Sequence, residues 1–289
     1  MAAAARLGYQ TNLAARALVL QRSGLIGIVV AGVADAMLAN VLQAAQCTLA
    51  ARGYGALIIC LDPAAESWST VDRGLIARGV EGVLYVGGSP DTSALEALAN
   101  AGVRWAAVSE REGGDGMRIN CGRRRGAELA ARYLLELGHE RFGVVSQRLA
   151  GTGDGVVKAL EGTAASLVVA ESPRDGDPNG ARAAVKQLLD VRPAPSAIVC
   201  SSDEEALAAV GECSIRGMAV PRELSIVGFG DATFARYAIP ALTTVRVLAA
   251  EVGLRSAEAL LESIAGRVPQ PWEAPVKLAI RETSGAPPD

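Results

Sequence analysis

Residues 223–247 read ELSIVGFGDATFARYAIPALTTVRV, and the fold follows from them. Leu224, Ile226 and Val227 form a short apolar run that stops at Gly228-Phe229-Gly230-Asp231. A brief apolar run closed by glycines is the pattern of a strand buried on both faces of an α/β sheet. Ligands of open α/β sheets sit beyond the carboxyl ends of the strands, so Gly230 and Asp231 face a candidate pocket. Pro240 holds the residue before it extended, and Leu242, Thr243, Thr244 and Val245 then read as a second strand.

The same unit recurs along the chain. Strands are expected at 25–30 (LIGIVV), 56–60, 82–86 and 103–108, with helices at about 38–52, around 72–78 and at 95–101. Gly53 closes the first of these helices at the position that favours glycine. A helix at 123–137 leads through Gly138-His139 into a second set: strands at 142–145, 167–169 and 197–200, helices at 179–190 and 204–216, then the stretch quoted above. A helix at about 250–265, a linker marked by Pro269, Pro271 and Pro275, and a strand at 276–280 complete the chain. Strand and helix alternating at this spacing mean parallel βαβ units. The fold class is α/β: two doubly wound parallel-sheet subdomains joined by crossover strands. The expected division is 1–23 as a linker segment, 24–139 plus 246–270 as the N-terminal subdomain, and 140–245 plus 271–289 as the C-terminal one. Such a pair closes on a small ligand by hinge motion.

The chain has 289 residues, 50% of them hydrophobic and 20% charged, with net charge −3. That suffices for two domains of ordinary size. Aromatics make up 4%, so the core must be built from Ala, Val, Leu and Ile. The single histidine, His139, excludes a two-histidine metal site, and any Ser-His-Asp or Cys-His site would depend on it. At the crossover between halves it reads as structural. The five cysteines have no CxxC spacing and read as reduced thiols, mostly packed as small hydrophobes, as in a cytoplasmic protein. No apolar run approaches the ~18 residues of a membrane span. The start, MAAAARLGYQTN, lacks the apolar core of a secretory leader. Neither a metal nor a cofactor is expected. Gly151-Thr152-Gly153-Asp154-Gly155 invites a nucleotide-loop reading, but GxGxxG would need glycine where Val156 stands and no GK[ST] follows, so a flexible loop is expected.

VPRELSIVGFGD…ARY…PALTTVR resembles the C-terminal signature of the lactose-repressor (LacI/GalR-type) family of bacterial transcription regulators, VP-x-D-hydrophobic-VVGFDD followed by P-x-LTTV. LGHERFGVVS resembles that family's crossover line LGHxxIGFV. At the other end, LGYQTNLAARAL is similar to LGYxPNxxARxL, the segment that joins the family's DNA-reading head to its regulatory core. The resemblance implies a hinge helix on operator DNA, with Leu18 as the minor-groove wedge and Asn12 and Arg16 near the phosphates; an apolar wedge is a known way to kink DNA. Thr11 replaces the family's proline. Read by itself, Asn12 caps a helix from Leu13 to Leu20 that is too short to be stable alone and should order only against a partner. The family places a helix-turn-helix head before this segment, and this chain begins partway through the head's last helix. Operator DNA is therefore expected as a partner of the full-length protein only. The resemblance further implies a periplasmic-binding-protein type I-like fold, a symmetric homodimer and a small-molecule effector, a sugar or sugar acid.

The strand ends supply the candidate ligand residues. The first strand offers Asp35 and Met37, the third Ser89 and the fourth Arg111; the second half offers Gln147 and Arg148, Ser202 and Asp203, and Gly230 and Asp231. Sugar sites need fixed carboxylates, amides and guanidiniums, because bidentate pairs discriminate hydroxyl arrangements. This chain departs from the family at several such points. Asp35-Ala36-Met37-Leu38 stands where Asn-Pro-Phe-Phe is common. The Asp of VGxDN is Gly122, the Asn-Asp pair is Ser202-Asp203, the first Asp of GFDD is Gly230, and the Arg of RxxGF is Gly153. Carboxylates lost while Arg111, Arg123 and Arg148 remain point to an anionic effector, a sugar acid or phosphorylated sugar. GFGD with LTTVR also resembles the gluconate-repressor branch.

Three functions compete. The first is the effector-binding and dimerisation core of a transcription regulator. The second is a solute (sugar)-binding protein of a transport system, against which stand the missing leader and the LGYQTNLAARAL segment. The third is an α/β enzyme, for which no nucleophile elbow, metal cluster or phosphate loop speaks, so no catalytic residue is assigned.

Overall fold

The computed structural model describes residues 22–31, 34–61, 68–88, 90–109, 117–146, 151–172 and 178–288. β1 (Leu25–Val30) pairs in parallel with β2 (Gly55–Cys60) on one edge and β3 (Gly82–Val86) on the other. Strand neighbours on both edges leave it little side for water, and Ile26, Ile28, Val29 and Val30 are fully buried. β4 (Arg104–Val108) and β5 (Met117–Asn120) extend this sheet, and β11 (Trp272–Glu273) returns to pair with β5, for an order β11-β5-β4-β3-β1-β2. The second sheet comprises β6 (Arg141–Ser146), β7 (Ser166–Glu171), β8 (Ala197–Cys200), β9 (Ser225–Gly230), β10 (Thr243–Val247) and β12 (Val276–Ala279). Its order is β12-β10-β9-β8-β6-β7, with β12 antiparallel to β10. Both sheets share one doubly wound order, whose strand ends at the topological switch point face the space where ligands sit.

The helices are α1 (Ala36–Ala51), α2 (Trp68–Ala77), α3 (Thr92–Asn100), α4 (Arg123–Glu136), α5 (Thr152–Leu160), α6 (Pro178–Asp190), α7 (Asp203–Arg216) and α8 (Ala249–Ile264). α8 packs on α1 and on β3, β4 and β5, in the first lobe. α4 packs on α5 and on β8, β9, β10 and β12, in the second. The chain thus changes lobe between β5 and α4, before the expected division at 139. It changes again between β10 and α8, and finally between β11 and β12. A single apolar cluster runs through both lobes, from Ile26 and Leu84 to Phe142, Val227 and Val245.

Two expectations are corrected. The proline-marked stretch is not only linker: Trp272 and Glu273 pair with Ile119 and Asn120, and the Ala274 N–H reaches the Asn120 carbonyl at 2.8 Å. Prolines flank this short edge strand without interrupting it, as edges allow. The glycine cluster at 151–155 is not a loop but the start of α5, with Gly151 at its N-cap in the left-handed region, φ 67°. Gly155 faces α4, where a Cβ would overlap the Arg124 carbonyl oxygen and stand 2.9 Å from Ala127 Cβ. Close helix contact, rather than flexibility, accounts for that glycine. The expected helix at Leu13 to Leu20 lies outside the described residues.

His139 is buried and bonded within the second lobe. Its Nδ1 lies 2.9 Å from Ser196 Oγ, and its Nε2 lies 3.1 Å from Ser225 Oγ and 2.9 Å from the Gly285 carbonyl. Burial lowers its pKa. It ties the C-terminal segment to β9. Gly155→Ala should destabilise the chain by about 1–3 kcal/mol through overpacking of α4 against α5. Thermal unfolding followed by circular dichroism checks this as a fall in Tm of several degrees.

Candidate functional site

α7 begins at the carboxyl end of β8 with the sequence Ser-Ser-Asp-Glu-Glu, and each of these side chains has a separate duty. Ser202 is the N-cap and accepts the Glu205 N–H at 3.2 Å. Glu205 turns back to accept the N–H and hydroxyl of Ser201, at 2.9 and 2.7 Å. Asp203 turns inward and is 1% exposed. Its Oδ2 accepts the Ala232 N–H at 2.6 Å, and its Oδ1 accepts the Thr244 hydroxyl. A Cβ at residue 228 would overlap Asp203 Oδ1, so Gly228 is what lets the carboxylate lie against the strand. Burial pushes the Asp203 carboxyl up to about 7, against the pull of the Thr244 and Ala232 bonds.

Asp231 follows β9 with φ 52°, in the left-handed region. It receives Arg246 Nε at 2.5 Å, a guanidinium N–H of Arg281, and Arg236 at 3.9 Å. Burial raises its pKa, but the Arg281 and Arg246 bonds outweigh burial and hold the carboxyl below its ordinary value. Thr244 completes the join, accepting the Asp231 N–H at 3.3 Å while donating to Asp203. The Thr-Thr of the LTTV signature is thus a pair of bonding posts. Thr243 Oγ1 accepts the Arg281 N–H at 2.9 Å.

The first lobe meets these residues through the start of α1. Asp35 is the N-cap of α1 and accepts the Leu38 N–H at 2.9 Å. Met37 is buried in the shared core. A Cβ at Gly230 would stand 3.5 Å from Met37 Cβ, so the lobes touch here. Glu204 reaches across to accept the Ala36 N–H at 2.9 Å. Arg123, at the start of α4, donates to the Ser201 carbonyl and lies 4.8 Å from the centre of the Phe229 ring. A cavity of about 500 Å³ opens beside this junction, between the outer face of α1 (Asn40, Gln43, Cys47) and Gly230, Asp231 and Leu248. Its size is that of a small-ligand site.

The structure therefore brings together Asp35, Met37, Ser202, Asp203, Gly230 and Asp231. Ser89, Arg111, Gln147 and Arg148 lie outside the described residues, as do Asn12, Arg16 and Leu18. The carboxylates of Asp35, Asp203 and Asp231 are committed to internal bonds, which their position at strand ends alone does not reveal. Sequence reasoning missed Glu204, Thr244 and Arg281 as site residues. Thr244 lay within the signature itself, whereas nothing local marks Arg281. Among the described residues, no group of three or more His, Cys, Asp or Glu could hold a metal ion. Nor is any described helix long and apolar enough to cross a membrane.

Two doubly wound lobes, joined by three chain crossings and meeting at their strand ends, define a two-lobed ligand-receptor domain. Residues 131–284 match the family described as periplasmic binding protein-like domain. The chain is 28% identical over 274 residues to the HTH-type transcriptional regulator GntR of Pseudomonas aeruginosa, covering 92% of this chain and 79% of that protein. It is 29% identical over 283 residues to the HTH-type transcriptional repressor PurR of Proteus mirabilis, covering 92% and 81%. Its fold matches that of a LacI family transcriptional regulator from Enterococcus faecium with bound ribose, with TM-score 0.78 and 21% identity over 90% of this chain and 98% of that one. The chain belongs to the periplasmic binding protein-like domain family, as the ligand-binding core of a LacI-family transcription regulator.

Between the ordinary carboxylate pKa of 3.8 and about 7, folded Asp203 keeps a proton that the unfolded chain releases, so stability falls as pH rises through that window. Asp203→Asn should flatten this fall. Asp72, which burial raises to about 6 against its bond from Tyr85, leaves a residual slope. Thermal unfolding of both proteins from about pH 4 to 7 reads the difference.

Proposed function

We propose that this core senses a small sugar-like effector, a sugar acid foremost, in the cleft between its lobes, and performs no chemistry on it. In the full-length protein the lobe angle passes to operator DNA through residues 1–23, in a cytoplasmic homodimer. The observation that carries this reading is the meeting of Met37 and Gly230 across the cleft, 3.5 Å from Cβ to Cβ position. A ligand wedged at such a junction changes the angle between lobes, and differential affinity for two angles is what allostery requires.

The acid class rests on charge. Asp231 is neutralised by three arginines, Asp203 accepts internal bonds at both oxygens, and Asp35 Oδ1 caps α1. Arg123 adds a guanidinium beside Phe229. The ribose bound in the Enterococcus faecium structure agrees with a sugar-like class. A thermal-shift panel of sugar acids, phosphosugars, neutral sugars and purines tests it. A ligand at a hundred times its Kd adds about 2.7 kcal/mol, a shift of several degrees. Sugar acids are expected to give the shift, and Arg123→Ala to weaken it. A response to neutral sugars alone, or one indifferent to Arg123→Ala, contradicts the acid class.

The dimer rests on exposed apolar side chains. Leu207, Gly211 and Ile215 follow one face of α7 at helical spacing; Leu207 and Ile215 are exposed, as are Tyr237 and Ile239 nearby in sequence to the site. Ile215→Asp combined with Ile239→Asp should convert the dimer to monomer in size-exclusion chromatography with light scattering. A wild-type chain that is already monomeric at micromolar concentration contradicts the dimer reading.

A further inference from the structure

The Glu204 side chain makes a direct polar contact between the lobes. Glu204 lies in the first turn of α7, in the second lobe, and its Oε1 accepts the Ala36 N–H at the start of α1, in the first lobe, at 2.9 Å. The opening N–H groups of a helix have no partner within their own helix. α1 satisfies two of them with carboxylates of different origin. Asp35, its own cap, takes the Leu38 N–H at 2.9 Å, and Glu204 comes from the other lobe for the Ala36 N–H. The positive end of the helix favours both charges.

An acidic residue in the first turn of α7 already suits the dipole of that helix, but this gives no reason for its side chain to reach another lobe. The reach has a cost. Burial raises the Glu204 pKa, and the nearby Asp35 charge adds to it. The bond to Ala36 opposes both. Beside it, Met37 meets the backbone of Gly230, so the polar contact and the apolar one close the same rim.

We propose that Glu204 is an inter-lobe latch: its carboxylate, seated on the N-terminus of α1, holds the two lobes at their present angle, and a rotation that opens the cleft must break this bond. The latch needs only the two-lobed fold. It is independent of the effector class, and its test uses no effector.

The test compares the wild-type chain with Glu204→Ala and Glu204→Asp. The aspartate keeps the charge at the start of α7 but is one methylene too short to reach Ala36. Amide exchange at Ala36, read by NMR, should rise roughly tenfold in both variants, the factor carried by one charge-assisted hydrogen bond. The radius of gyration from small-angle scattering should increase while the circular dichroism spectrum stays that of the wild type. Unchanged Ala36 exchange and unchanged radius in Glu204→Asp overturn the proposal, whatever the alanine variant does.

Discussion

The buried carboxylate of Asp203 sets the geometry of the second lobe's strand ends. A carboxylate removed from water must be hydrogen-bonded or it destabilises the fold by several kcal/mol. Here two bonds satisfy it, one from the Ala232 N–H in the turn after β9 and one from the Thr244 hydroxyl on β10, while the start of α7 positions the side chain. Gly228 clears the space the carboxylate occupies. Because the turn at 230–232 is pinned to Asp203, Asp231 projects to the guanidiniums of Arg246 and Arg281, and Gly230 is left facing Met37 of the other lobe.

The lobes are not independent bodies on a loose tether. Three chain crossings join them, and one apolar cluster passes through both. The face where the strand ends meet carries the contacts of Met37 and Glu204. The chain's own side chains bear on the angle between the lobes.

Much of the fold was legible because its signals are local. LIGIVV, GVLYV and SIVGFG are short apolar runs ended by glycine or a polar turn, and each is a central strand. The helix at 152–160 was not legible, because three of its first residues favour loops and only contact with α4 explains Gly155. The lobe membership of α4 was hidden for a similar reason: Gly126 fits under Phe229 and Val245, a contact no neighbouring residue announces. At the site, strand-end logic located Asp203 and Asp231 but not their work. Whether a carboxylate awaits a ligand or binds its own chain depends on partners such as Thr244 and Arg281, dozens of residues away. Glu204, beside a chosen candidate, went unremarked because its partner lies in the other lobe.

The central claim, that the face between the lobes receives the effector, is tested most directly by a hydrogen-exchange footprint of the whole chain with and without millimolar gluconate. The account predicts simultaneous protection on opposite lobes, at residues 34–38 and at 201–205 and 230–232. Protection confined to one lobe, or falling on surfaces away from these strand ends, would contradict it.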